Sequence, residues 1–133
     1  MLRIAVATRK AKEVVDITDQ IEEELENHSF ENGTCILFLT HTTAAITCAD
    51  LDPGTDLDML DAFENLVPNL KYRHPHNPAH VSDHILSSLL GSSLALPVEK
   101  GELQLGAWQR VVLLEFSGPR KREIILCLLP EKD

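Results

Sequence analysis

Histidine is concentrated at two places in this chain. His41 opens the stretch His41-Thr42-Thr43, and His74, His76, His80 and His84 follow at short spacing further on. Neutral imidazole is a ready metal ligand, and three converging histidines with an open position make a catalytic metal site. Read that way, His41, His80 and His84 would hold a divalent metal as cofactor. Without a metal, His41 and His80 could serve as a general acid–base pair, because imidazole titrates near neutral pH. Asp50, Asp52 and Asp56 are candidate orienting carboxylates, although for Asp52 and Asp56 loop chemistry and stabilisation of a helix dipole ahead of Leu57 is the simpler reading. The plain alternative is a polar loop of solvated histidines.

A second set of residues suits an anion. Thr42 and Thr43 offer hydroxyls, Arg73, Arg110 and Arg120 offer guanidinium forks, and Ser82 could open a helix N-terminus. Arg120 stands out because the Gly118-Pro119-Arg120 turn fixes its backbone and projects it. Glu115 interrupts the apolar run Val111-Val112-Leu113-Leu114-Glu115-Phe116. By period alone its carboxylate points outward; buried, it would need a partner. Trp108, next to Gln109, is either core or a wall on which a ligand stacks. Cys48 could be a nucleophile near His41, but an inert thiol is the simpler reading.

These groups must be carried by one domain spanning residues 1–133, a length sufficient for a real core. A net charge of -9 excludes the positive field that nonspecific nucleic-acid or anionic-membrane binding requires. It leaves room for a small anionic ligand at a local cluster of cations. No apolar run approaches the roughly 20 residues of a membrane span. The N-terminal residues read as a strand rather than a signal peptide. Three cysteines, two of them inside apolar runs, fit reduced thiols in a cytoplasmic protein.

The elements follow from periodicity. Leu2 to Thr8 alternates like a half-buried strand. Val14, Val15 and Ile17 suggest a short strand or the entry to a helix. Ile17, Ile21 and Leu25 fall four apart on one helical face, capped by Asp16 or Thr18 and stopped at Asn32-Gly33. Cys35 to Leu39 is a strand covered on both faces, and Thr42 to Cys48 resumes β character after His41. Thr55 and Asp58 resemble a capping box before a helix that ends at Pro68. Residues 69–79 are irregular. Ser82 could cap a third helix, which Gly91 stops. Leu94 to Val98 is extended, and Val111–Phe116 and Ile124–Leu129 read as a hairpin joined by Ser117-Gly118-Pro119-Arg120. The class is α+β.

Several motifs together resemble one family. HTTAAI, NPAH, SSLLGSS, LPVEKGELQLGAWQR and EFSGPRKR occur in order between about Gly33 and Leu128, and the chain is similar to the YjbQ-like family, UPF0047. That resemblance implies a compact α+β fold with a β-sandwich-like core flanked by about three helices. It also implies a homotrimer with a polar pocket near the subunit contacts. Members are often labelled secondary thiamine-phosphate synthase enzymes, so it implies a small phosphorylated ligand and weak activity of that kind. The residues carried over are His41, His80 and Glu115 as catalytic, with Trp108, Gln109 and Arg120 beside the ligand. Relatives often have a glutamate where this chain has Asp50, and a threonine where it has Ala107.

Overall fold

The computed structural model describes residues 1–68, 70–74 and 78–132. Alternation places Ile4 and Val6 inward from β1 (Leu2–Ala7) and leaves Arg3, Ala5 and Ala7 in water. After β1 come β2 (Glu13–Asp16), α1 (Thr18–Asn27), β3 (Gly33–Leu39), β4 (Ala44–Ala49) and α2 (Thr55–Leu66). A single 3-10 turn, Pro78–His80, then leads into α3 (Val81–Leu90). The chain closes with β5 (Ser93–Glu99), β6 (Glu102–Leu103), β7 (Arg110–Glu115) and β8 (Lys121–Pro130). All strand pairs are antiparallel, in a five-stranded sheet ordered β1-β8-β3-β5-β6 and a three-stranded sheet ordered β2-β7-β4.

The central strand of the three-stranded sheet, β7, is covered on both faces, which is why Val111 to Leu114 reads as an unbroken apolar run. One face sends Ala44, Ile46, Val111 and Leu113 into a core shared with Ile4, Leu37, Leu39, Ile124 and Leu126 of the larger sheet. Ile17, which precedes α1, and Ile21 and Leu25 of α1 join that core, as their spacing of four predicts. The other face sends Ala45, Val112, Leu114 and Phe116 into a second cluster with Val67 and Leu86. Here α3 lies firmly, burying Leu86 and Ser87, whereas no residue of α2 is fully buried. Phe63 of α2 meets Phe116 edge to face with ring centroids 6.2 Å apart.

Two expectations are corrected by this arrangement. β7 and β8 do not form a hairpin, because β7 lies between β2 and β4 while β8 lies between β1 and β3. The Ser117–Arg120 segment therefore crosses from one sheet to the other. Glu115 does not point outward. It shares the side of Val111 and Leu113, the face turned toward the larger sheet, and is fully buried. Period alone fails because neither face of this strand is solvated.

Helix starts also differ from the sequence reading. Gly54, in a left-handed conformation at φ 91°, precedes α2 with no side-chain cap, so Thr55 and Asp58 form no capping box. His80, not Ser82, precedes α3. Ile17, with no side-chain cap, precedes α1, although Asp16 Oδ1 accepts the Thr18 N–H at 3.0 Å; Gly91 ends α3 with φ 102°. Of the irregular 69–79 stretch, residues 69 and 75–77, including His76, lie outside the described residues.

Candidate functional site

The break between β3 and β4 places Thr40, His41, Thr42 and Thr43 at the end of two strands rather than within one. The sheet-crossing segment brings Ser117, Arg120, Lys121 and Arg122 to the same end, and the start of α3 adds His80 and His84. Together they line an open cleft of about 860 Å³. Gly118 lets the crossing segment sit close beneath, since a Cβ there would run into the Lys10 carbonyl and Glu115 Cγ.

Beneath the cleft lies a buried ion pair. Arg122 Nε donates to Glu115 Oε1 at 2.9 Å, and Arg122 Nη2 donates to Glu115 Oε2. Thr8 Oγ1 donates to Glu115 Oε1 at 2.7 Å and the Ser117 N–H to Oε2 at 3.2 Å. Arg122 Nη2 also reaches the carbonyl and hydroxyl oxygens of Thr43, at 3.1 and 2.9 Å. Burial pushes the Glu115 carboxyl up, but its hydrogen bonds from Arg122, Thr8 and Ser117, with the Arg122 charge, hold it below the usual range. With both oxygens engaged, Glu115 holds Arg122 in place from below, and Arg122 in turn holds Thr43. Neither Arg122 nor Thr8 belongs to the candidates read from the sequence, although Arg122 alternates with Ile124 and Leu126 on the inward face of β8.

The three cleft histidines are distinguished by their hydrogen bonds. The Glu123 backbone N–H donates to His41 Nε2 at 2.8 Å, so in this arrangement the proton of His41 is assigned to Nδ1. Burial, followed by the Arg122 charge, holds His41 below the usual imidazole range despite Glu115 and Glu123. His84 Nδ1 lies 3.0 Å from the Thr42 carbonyl, an acceptor, which leaves Nε2 without a proton. His80 Nδ1 lies 3.1 Å from Asp83 Oδ2 and 3.4 Å from Ser117 Oγ. His41 can thus offer a donor, while His80 and His84 can offer lone pairs. His74 stacks on His84, ring centroids 5.1 Å apart. Among the described residues, no group of three His, Cys, Asp or Glu side chains is placed to hold a metal ion. The set His41, His80 and His84 is brought into one cleft but not into one coordination sphere, and the Glu123 N–H occupies His41 Nε2.

The remaining candidates divide between two ends of the molecule. Arg120 is exposed at the cleft, its Nε donating to the Ser117 carbonyl at 2.7 Å and its N–H to Thr8 Oγ1 at 2.9 Å. Thr42 is exposed beside it. Trp108 and Gln109 precede the other end of β7, roughly 20 Å away at about 3.3 Å per residue. Trp108 is 74% exposed and so is not core. Gln109 closes a tight turn, its Oε1 accepting the Gly106 N–H at 2.8 Å. Asp50 and Asp52 border a small hollow with Trp108, Asp16 and Arg110, away from the cleft. Arg110 is tied to Asp16 and Asp19 at 2.8 and 3.0 Å. Burial raises the pKa of Cys48, as an inert thiol requires. No helix among the described residues is long and apolar enough to cross a membrane.

The comparisons agree with the motifs. The family model described as UPF0047 protein YjbQ-like matches residues 2–131. A UPF0047 protein of Archaeoglobus fulgidus is 38% identical over 126 residues, covering 94% of this chain and 98% of that one. The UPF0047 protein YjbQ of Salmonella typhimurium is 43% identical over 112 residues, covering 79% and 81%. The crystal structure of a conserved hypothetical protein from Thermus thermophilus superposes with a TM-score of 0.87 at 37% identity, covering 97% of this chain and 100% of that one. The fold, the order of the motifs and the extent of these matches place the chain in one group: it belongs to the YjbQ-like UPF0047 family.

Proposed function

We propose that the cleft binds a small phosphorylated or otherwise anionic molecule and acts on it with His41 and His80. The observation that carries this reading is the lining itself. Among the described residues, the cleft is lined by Arg120, Lys121, Arg122 and three histidines and by no carboxylate, on a chain whose net charge is -9. Arg122 is already neutralised by Glu115, which leaves Arg120 and Lys121 as the cations a ligand would meet. Chemistry at such a site rests on positioning and on neutralising leaving-group charge. One case is the thiamine-phosphate synthase reaction. There a thiazole phosphate nitrogen would attack the carbon bearing the diphosphate of an aminopyrimidine, and the carbon–oxygen bond to diphosphate would break. A chain of 133 residues cannot form the eight-stranded α/β barrel of about 250 residues that other enzymes of that class use. A shared activity would therefore be convergent.

The site extends to neighbouring copies in this proposal. Trp108 and Gln109 stand at the far end of β7 from the cleft, so only another copy could bring its Trp108 to this chain's Arg120, and the homotrimer that the family resemblance implies is the assembly proposed. The three free cysteines suit a cytoplasmic setting.

A second reading is a non-enzymatic binder, favoured by His41, whose Nε2 already accepts a backbone N–H and whose pKa burial lowers. A divalent cation would draw on His80 and His84 for one nitrogen each and on ligand or water for the rest. The test is turnover of phosphate esters and thiamine precursors by wild type, His41→Ala and His80→Ala, alongside calorimetry with inorganic phosphate and Arg120→Ala. Equal traces of turnover in all three proteins sink the enzyme reading. Phosphate affinity unchanged by Arg120→Ala sinks the anion site itself.

A further inference from the structure

Behind His80 stands a carboxylate that the cleft does not expose. Asp83 is three residues along α3, so one helical turn places it under His80, and it is 4% exposed. Its Oδ1 accepts from Lys12 Nζ at 2.6 Å, and the same ammonium donates to the Phe116 carbonyl at 2.5 Å. Its Oδ2 faces His80 Nδ1 at 3.1 Å. An ionised carboxylate only accepts, so this contact draws the imidazole proton onto Nδ1. Among the described residues, Nε2 of His80 then has no protein partner. His80 lines both the cationic cleft and an adjoining cavity of about 540 Å³ walled by Leu60, Phe63, Leu86 and Phe116, and the two cavities share His80 and Ser117.

We propose that Asp83, clamped by Lys12, is a positioning residue that fixes His80 as the hydrogen-bond acceptor of the cleft, so that the ligand must pair an anionic group with a hydroxyl or amine proton. The logic is complementarity. Arg120, Lys121 and the Nδ1–H of His41 supply donors to the anion, while His80 Nε2 asks for a donor in return. An acceptor that a bound ligand shuts off from water and leaves unmatched disfavours a ligand lacking that donor. Lys12 matters because Asp83, without it, would be a buried charge facing only an imidazole. The inference rests on the anion reading for the ligand's charge but not for the state of His80.

The experiment has two arms. Nitrogen-15 spectra of the wild-type chain at about pH 8.5, where imidazoles are neutral, are expected to show the His80 proton on Nδ1. Asp83→Ala is expected to release it to Nε2, and Lys12→Met is the second variant should Asp83→Ala not fold. A wild-type His80 with its proton on Nε2 overturns the proposal. In the second arm, calorimetry compares glycerol phosphate with propyl phosphate, which lacks the hydroxyls. Wild type is expected to prefer glycerol phosphate by roughly three- to tenfold, about one hydrogen bond, and Asp83→Ala to lose the preference. Equal affinities in wild type overturn the ligand assignment. Failure of both esters to bind overturns the anion reading instead, and the spectra alone then decide the role of Asp83.

Discussion

The strand β7 carries an arginine–carboxylate cluster at each end, and the two are built on different physics. At its start, Arg110 reaches Asp16 and Asp19 in the open, with more than a third of the arginine side chain and nearly all of Asp19 in water. At its end, Glu115 meets Arg122 with essentially no solvent on either side chain. Exposed pairs gain little, because water solvates the separated ions nearly as well. A buried pair gains only through complete hydrogen bonding, and Glu115 has it from Arg122, Thr8 and the Ser117 N–H. The difference teaches where charge is needed for shape. The first cluster decorates the sheet, while the second sets the floor of the cleft.

The contrast can be broken most directly by Glu115→Ala. Leaving Arg122 buried without its counter-ion is expected to cost about 3–5 kcal/mol in urea unfolding. A loss below about 1 kcal/mol, the surface-pair value, would erase the distinction. Acid unfolding sharpens it next. The folded Glu115 carboxyl lies below its ordinary value, so its stabilisation is present above the unfolded-state value and is lost as pH falls through the folded one. Wild type is therefore expected to weaken progressively below the ordinary glutamate range, about pH 4, and Glu115→Gln to show a flatter acid limb. Asp16 is also held low; burial raises it, and its hydrogen bonds to Arg110 and Thr18 outweigh that. Because it is exposed, Asp16→Asn should leave the acid limb nearly unchanged. The smallest effect is expected for Arg110→Ala, about 0–1 kcal/mol by the same unfolding measurement.

Much of this architecture is legible in the sequence, and the failures have a common cause. Local patterns locate α1 through Ile17, Ile21 and Leu25, the end of α3 at Gly91, and most strands. The motifs identify the family and single out His41, His80, Thr42, Thr43 and Arg120, which the fold gathers at one end. What local pattern does not carry is the partnership between strands. The false hairpin arises because two apolar runs around a Gly-Pro turn look the same whether the strands pair or part to separate sheets. Glu115 is turned the wrong way for the same reason, since period 2 gives a face but not what covers it. Trp108 and Arg120 are close in sequence motifs but lie at opposite ends of β7. Asp83 is legible in principle, three residues after His80 on a helix, yet a carboxylate in a first helical turn usually serves the dipole and draws no notice.

The order of the larger sheet also constrains how the chain can assemble in time. β8, the last strand in the sequence, lies between β1, the first, and β3. During synthesis β1 and β3 therefore emerge long before the ribbon that joins them, and each exposes an unpaired edge while it waits. Pairing of β1 with β8 spans almost the whole chain, a loop closure of the kind that slows folding. Arg122 arrives on that same late strand, so the cleft, with its Thr43 wall, takes shape only once β8 has paired between β1 and β3.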